Sequence, residues 1–158
     1  MTEKSERERA QTNIAENRKA LHDYHILGEW EAGVVLLGTE VKSIREGRVN
    51  LRDSFARIEK AEVWLYNVNV GAYSHRGYAD HEPLRQRKLL MHRDEIRKLI
   101  GKTTEKGMTL VPLRMYFKQG RVKVVIGLAK GKKDYDKRES IKRRETERET
   151  RAAVKAGR

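Results

Sequence analysis

Four side chains near the start of the chain carry groups capable of acid–base or metal chemistry: His22, His25, Glu29 and Glu31. In extended backbone alternate residues share a face, so His25, Glu29 and Glu31 point the same way. A metal site needs three or four ligands converging on one point, with further groups orienting them. Alternation along any half-exposed strand produces this set without convergence. Carboxylates on a basic surface can instead accept from base or ribose donors, or pair with Arg. No nucleophile–base motif and no phosphate-cradling glycine signature occurs elsewhere. With no Cys, a disulfide scaffold, a thiolate metal site and Cys catalysis are excluded. These residues describe a protein that binds, with neither metal nor cofactor expected.

What it binds follows from charge. The 158 residues hold 36 Lys+Arg against 23 Asp+Glu, a net of +13. A field of that sign concentrates polyanions, of which nucleic acid is the commonest. An acidic membrane would call for a basic helix with a Trp/Phe/Leu face, and no segment has one. The first fifteen residues lack an apolar h-region, and the longest apolar run, Val34–Leu37, is far too short to span a bilayer. A cytoplasmic protein is expected. The 18-residue stretch 71–88 interleaves Tyr73, Tyr78, His75 and His81 with Arg76, Arg85, Arg87 and Lys88. Cations meet phosphates while rings and guanidinium planes stack on splayed bases, the way RNA loops and bends are held. Asn17-Arg18-Lys19-Ala20-Leu21-His22 sets further polar and basic groups just before the first expected strand.

The elements that must position these groups read mostly as strands. Tyr24, Ile26, Trp30, Ala32, Val34 and Leu36 share one parity, with Gly28, Gly33 and Gly38 allowing bends. A helix is expected over 39–47, with Thr39 as N-cap and Gly47 just past its end. Strands follow at about 54–59 and 62–70, the second showing Trp64, Tyr66, Val68 and Val70 on one parity; their link, Lys60-Ala61, is a poor primed-turn sequence. A helix at about 93–100 stops at Gly101. Strands at 109–117 and 122–128 turn through Lys118-Gln-Gly-Arg121, with Pro112 marking an edge or a bulge. Short antiparallel strands interrupted by short helices suggest a mainly β fold: a small OB-type antiparallel β-barrel with two or three short helices. The division is a flexible N-terminus over 1–16, the barrel over 17–129 and a basic tail over 130–158.

The tail holds 12 basic and 6 acidic residues in 29 positions. Asp136-Lys-Arg-Glu139 has capping-box form, and Glu139–Arg143 and Glu147–Arg151 are i,i+4 pairs in the favourable order. No apolar stripe accompanies them, since Ile141 and Val154 stand alone. A helix without an apolar face is marginal in water. The tail is therefore expected to be disordered when free and helical against a polyanion.

Several strings occur together in order: Gly38-Thr-Glu-Val-Lys-Ser43 with Arg45 and Gly47, Pro83-x-Arg85-x-Arg87-Lys88-Leu-Leu90, Gly127-Leu-Ala-Lys-Gly-Lys-Lys133, and Asp136-Lys-Arg138. Over about residues 17–144 the chain resembles the SsrA-binding protein family, also called small protein B. The resemblance implies an OB-type barrel that binds the tRNA-like domain of transfer-messenger RNA (tmRNA). It implies delivery of that RNA to stalled ribosomes for trans-translation, the tail occupying the vacant mRNA path at the decoding centre of the small subunit. Neither membrane nor DNA is implied as partner. By position it makes Asn17, Arg18, His22, Glu31, Lys42, Arg85, Arg87 and Lys88 the RNA-facing group, on one barrel face. Lys130, Lys132 and Lys133 become a basic hinge, with Asp136, Lys137 and Arg138 the tail element needed after RNA binding. On the residues alone two other readings stay open. One is a basic ribosomal protein bound permanently to rRNA; the other is an RNA-processing enzyme using His22, His25 and Glu31.

Overall fold

The computed structural model describes residues 11–72, 81–105, 107–132 and 134–156. Nine strands and four helices alternate along them. In chain order they are β1 (Gln11–Glu16), α1 (Arg18–Asp23), β2 (Tyr24–Val34), α2 (Gly38–Arg45), β3 (Val49–Asn50), β4 (Phe55–Glu59), β5 (Glu62–Tyr66), β6 (Asn69–Val70), β7 (Arg87–Leu90), α3 (Arg93–Thr103), β8 (Met108–Lys118), β9 (Arg121–Gly131) and α4 (Asp134–Ala156).

The main sheet runs β1-β8-β4-β5-β7-β2-β9, and β8 also pairs with β9. Six antiparallel strands therefore close into a ring, with β1 added along β8. The expectation of a small antiparallel β-barrel with short helices holds. Inside lie Ala32, Ala56, Val63, Leu65, Leu89, Leu110, Met115, Val124, Ile126 and Leu128, while Ile44 of α2 and Leu99 of α3 reach into the same core. A second, smaller cluster forms outside the ring, where Ala20 of α1 covers Val111, Leu113, Tyr116, Val125 and Ala129. β9 serves both: its even residues face inward, and Val125 and Ala129 face α1.

Closing so small a ring demands kinks. β2 slips register between Ile26 and Gly28, and β8 between Pro112 and Arg114. Pro112 thus sits at a bulge, where its missing N–H costs no ladder bond. Gly127 fits where backbone and side chains crowd: a Cβ there would stand 2.8 Å from Leu113 Cδ1 and 3.3 Å from Ile26 Cγ2.

Differences from the sequence reading have local causes. Residues 11–16 were placed in the flexible terminus but form β1, paired with β8 from Gln11↔Lys118 to Glu16↔Arg114; Ile14 alone was too thin a signal. The barrel runs to Gly131, so Lys130 belongs to β9 rather than to the tail. β7 was hidden inside what looked like a continuous loop. In β5 the buried parity is Val63 and Leu65, not Trp64 and Tyr66. Asn67 at φ 61° breaks the alternation before Val68 and Val70 resume inward burial. Lys60 and Ala61 take φ of 50° and 60°, so the poor primed-turn sequence makes a left-handed two-residue turn all the same. The cap of α2 is Leu37 rather than Thr39. At its far end Arg48 N–H donates to Ser43 O and Gly47 N–H to Ile44 O, a Schellman closure with Gly47 at φ 76°. α3 continues past Gly101 to Thr103.

The composition of the tail predicts disorder in the free protein, yet Asp134–Ala156 forms one helix starting two residues ahead of Asp136. Its own backbone bonds and alanine-rich end support it locally. Residues 141–155 are all exposed, and α4 lies beside α1. The absent apolar stripe is plain: Ile141 and Val154 stay exposed.

Gly127→Ala should destabilise the barrel by about 1–3 kcal/mol, since Leu113 and Ile26 must both give way; thermal unfolding of the full chain measures it.

Candidate nucleic-acid interface

Asn17 joins β1 to α1 and does so with every polar atom. Its Oδ1 accepts from Ala20 N–H at 3.2 Å as the helix N-cap. Its Nδ2 donates to Leu51 O (3.1 Å) and Pro112 O (2.9 Å), and its own N–H donates to Leu113 O. The side chain is buried. Asn17 therefore does not face outward as a contact group; it fixes α1 against the β8 bulge, so that Arg18 and Lys19 project into solvent. Lys19 pairs with Asp53.

His22 lies half-buried with Nδ1 2.9 Å from Asp23 Oδ1. The backbone of Asp23 accepts from Lys132 N–H at 2.9 Å, and Leu21 O from Lys132 Nζ at 3.4 Å. These bonds dock the start of the tail onto α1. Arg18, Leu21, Lys132, Arg143 and Arg144 line one cleft there, four cations converging on it. Lys130, on β9 opposite His25, is exposed. Arg138 is exposed on α4; Asp136 and Lys137 lie on the same helix with side chains outside the described residues, as does Lys133 entirely.

Arg85 and Arg87 meet one buried carboxylate. Glu40, on the inner face of α2, is wholly buried. Its Oε2 accepts from Arg87 Nε at 2.5 Å and its Oε1 from Arg85 Nη2 at 2.6 Å, while Leu37 N–H also donates to Oε1. Arg87 is buried too and gives three further bonds to Val68 O, Arg85 O and Pro83 O, so that four of its five N–H donors are engaged. Burial alone would push the Glu40 carboxyl up, but the bonds from Arg85, Leu37 and Arg87 hold it below its ordinary value. Arg87, 1% exposed, is therefore a structural cation that does not reach the surface. Arg85 keeps 31% of its side chain exposed. Lys42 stands on the exposed side of α2, and Lys88 pairs with Glu62 at 3.2 Å. His81, expected to stack on bases, is instead buried between Thr39 Oγ1 (3.0 Å) and Val70 O (2.8 Å). Tyr73, His75, Arg76 and Tyr78 lie outside the described residues.

Glu31 sits on the outer face of β2, where it accepts from Tyr116 OH and from Lys118 Nζ at 3.3 Å. Partial burial opposes ionisation, yet these bonds keep its carboxyl below the ordinary value. Burial and the bond to Glu31 push the Tyr116 phenol up. Glu29 pairs with Arg114 at 3.4 Å. His22, Glu29 and Glu31 thus serve different neighbours, and no group of three His, Asp or Glu among the described residues could hold a metal. The eight expected RNA-facing residues do not gather into one contact set. They fall into an α1 group (Asn17, Arg18, His22), Glu31 with Tyr116 and Lys118, and a group on α2 and β7 (Lys42, Arg85, Arg87, Lys88). Sequence reading missed Glu40 and Tyr116, whose neighbours in the chain say nothing of their partners across the barrel.

No helix among the described residues is long and apolar enough to cross a membrane. A closed basic β-ring with cations on α1, on the α2–β7 side and along a helical arm defines a small polyanion-binding barrel protein. Comparison with known proteins narrows this. The family model for SmpB protein matches residues 14–156. An SsrA-binding protein of Carboxydothermus hydrogenoformans is 62% identical over 143 residues, spanning 90% of this chain and 96% of that protein. One from Geobacillus kaustophilus is 59% identical over 142 residues, spanning 90% and 92%. A solved structure reported as "tmRNA-SmpB: a journey to the center of the bacterial ribosome" holds a chain 52% identical with TM-score 0.65, covering 76% of this chain and 85% of that one. The chain belongs to the SmpB protein family.

Two variants test the positioning roles. Asn17→Ala should cost about 2–3 kcal/mol of stability by losing the cap and the amide's bonds to Pro112 O and to Leu51 O, the latter still accepting from Ser54, whereas Arg18→Gln should leave stability unchanged; denaturant unfolding compares them. For Glu40, the lowered pKa means its charge stabilises the fold above the ordinary value of 4.5 and is lost as acid takes the carboxylate through its folded value. Glu40→Gln should cost about 3–5 kcal/mol at neutral pH by stranding Arg87, and should then lose less than the parent on acidification below 4.5.

Proposed function

We propose that this chain binds the tRNA-like domain of tmRNA and carries it to ribosomes stalled without a stop codon. There the tail takes the vacant mRNA path at the decoding centre of the small subunit. The family, whose curated members are named SsrA-binding protein, supports the RNA; the similar chain from a tmRNA and ribosome study supports the partners. The observation that carries the division of labour is physical: a barrel with its own closed core, and a 23-residue helix whose residues 141–155 all stay exposed. A helix so charged and so little anchored needs a surface elsewhere, and phosphates supply one.

The barrel acts by binding, not by turnover. Folded RNA is held by shape, with cations on phosphates and few base-edge contacts. Arg18, His22, Lys42, Arg85, Lys88 and Glu31 contribute from three sides, while Asn17 and Arg87 hold the elements that present them. Lys130 and Lys132 steady the root of the tail: Lys132 through α1, Lys130 through its place in β9 opposite His25. Lys133, Asp136, Lys137 and Arg138 follow at the head of the arm that engages the ribosome. The setting is the cytoplasm, where ribosomes work, and no cofactor takes part.

Removing 133–158, which spares β9 and the bonds of Lys132 to α1, should leave most of the affinity for the tRNA-like RNA and abolish peptide tagging on stalled ribosomes. Affinity is read by filter binding at fixed salt, tagging in a reconstituted translation mixture. Tagging that survives the truncation would refute the tail's part, and loss of RNA binding would refute the division.

A further inference from the structure

The outward side of β4, β5 and β7 carries rings that the core does not use. Inward, these strands give Ala56, Val63, Leu65 and Leu89 to the barrel interior. Outward, register sets Phe55 opposite Tyr66, and in the next row Arg57 opposite Trp64 opposite Lys88. The Phe55 and Tyr66 rings stack with centroids 5.1 Å apart and planes 3° from parallel. The Arg57 guanidinium lies 5.5 Å from one centroid and 5.6 Å from the other. The result is a ring pair under a cation, beside a ring flanked by two cations.

The three carboxylates at this face are already engaged. Glu59 accepts from Tyr66 OH, Glu62 from Lys88, and Asp53 from Lys19. A groove opens at either side of it. One of 410 Å³ runs from Phe55 and Arg57 towards Lys19 of α1. The other, of 560 Å³, runs from Lys88 to Lys60, Arg93 and Arg97. Cations therefore continue across the face from α1 to α3, with half-buried aromatic groups in the middle.

We propose that this face is a single-stranded RNA site, in which unpaired bases stack on Trp64 and on the Phe55–Tyr66 pair while Arg57 and Lys88 meet the phosphates on either side. A π-face with cations at both edges suits a nucleotide, whose base and phosphate ask for both at once. A protein partner would ask for a contiguous apolar centre, whereas Arg57 and Lys88 interrupt this one. The site rests on the RNA-binding role proposed above and extends it from a folded RNA to a strand.

The test uses the full chain, an oligouridine of about eight nucleotides, within the span one such barrel covers, and separately a folded tRNA-like RNA. A central 4-thiouridine, irradiated, should crosslink to the peptide containing Trp64 or Tyr66. Trp64→Leu should weaken oligouridine binding roughly tenfold, Trp64→Phe should restore most of it, and the exposed Arg57→Gln should weaken it without altering the fold. All three should leave the folded RNA nearly as tightly bound as before. Crosslinks confined to other peptides, or oligouridine binding equal in Trp64→Leu and the parent, would overturn the strand site while the folded-RNA role stands. Failure of the parent to bind the folded RNA would instead remove the role beneath it.

Discussion

One buried carboxylate organises half of the molecule. Glu40 has no exposure to water, and a charge in that position is tolerable only because two guanidinium groups and a backbone amide converge on it. The same bonds tie α2, which lies against one side of the barrel, to the strand that completes the ring between β5 and β2. Arg87 extends the tie through its bonds to Val68, Arg85 and Pro83, drawing in the segments on both sides of 73–80. Lys42, Arg85 and Lys88 can stand where a polyanion would meet them because this interior network fixes their backbone. Cations at the surface depend on a cation that never reaches it.

Asn17 does for α1 what Glu40 does for α2, using neutral hydrogen bonds instead of charge. A six-residue helix has little stability of its own, so α1 exists because Asn17 caps it, Ala20 packs under it and Lys132 returns to bind its last carbonyls. The first helix and the root of the tail thus meet at one corner. The barrel is a frame that brings three polar outcrops to defined places, and the tail leaves from one of them.

Much of this frame was legible in the residues. The period-2 run of β2 is long, and the parity expected to be buried is the less exposed one along most of it; Pro112 announced its bulge and Gly47 its turn. Short elements were harder. β7 has four residues inside a stretch dense with Arg and Lys, where composition argued for a loop. In β5, Trp64 and Tyr66 outweighed Val63 and Leu65 in apparent hydrophobicity although they face out. The site suffered from the same blindness to distance. Arg85 and Arg87 could be marked from their spacing, but 45 and 47 positions separate them from Glu40, and nothing local says that one of them is buried. For Asn17 the sequence pointed to the right residue with the wrong office, since a capping amide and a contact amide look alike until the carbonyls of Leu51 and Pro112 are beside it.

β8 is paired on one side with β9 along its whole length and on the other with β1 and β4, while β9 also holds β2. The ring is therefore joined by the last two strands to be synthesised. A nascent chain that has emerged only as far as α3 presents β2 and β4 with unpaired edges, the condition that favours sticking to other chains. Birth of this protein leaves its scaffold open until Gly131 is free, and the helical arm that follows gives the seam time to shut before release.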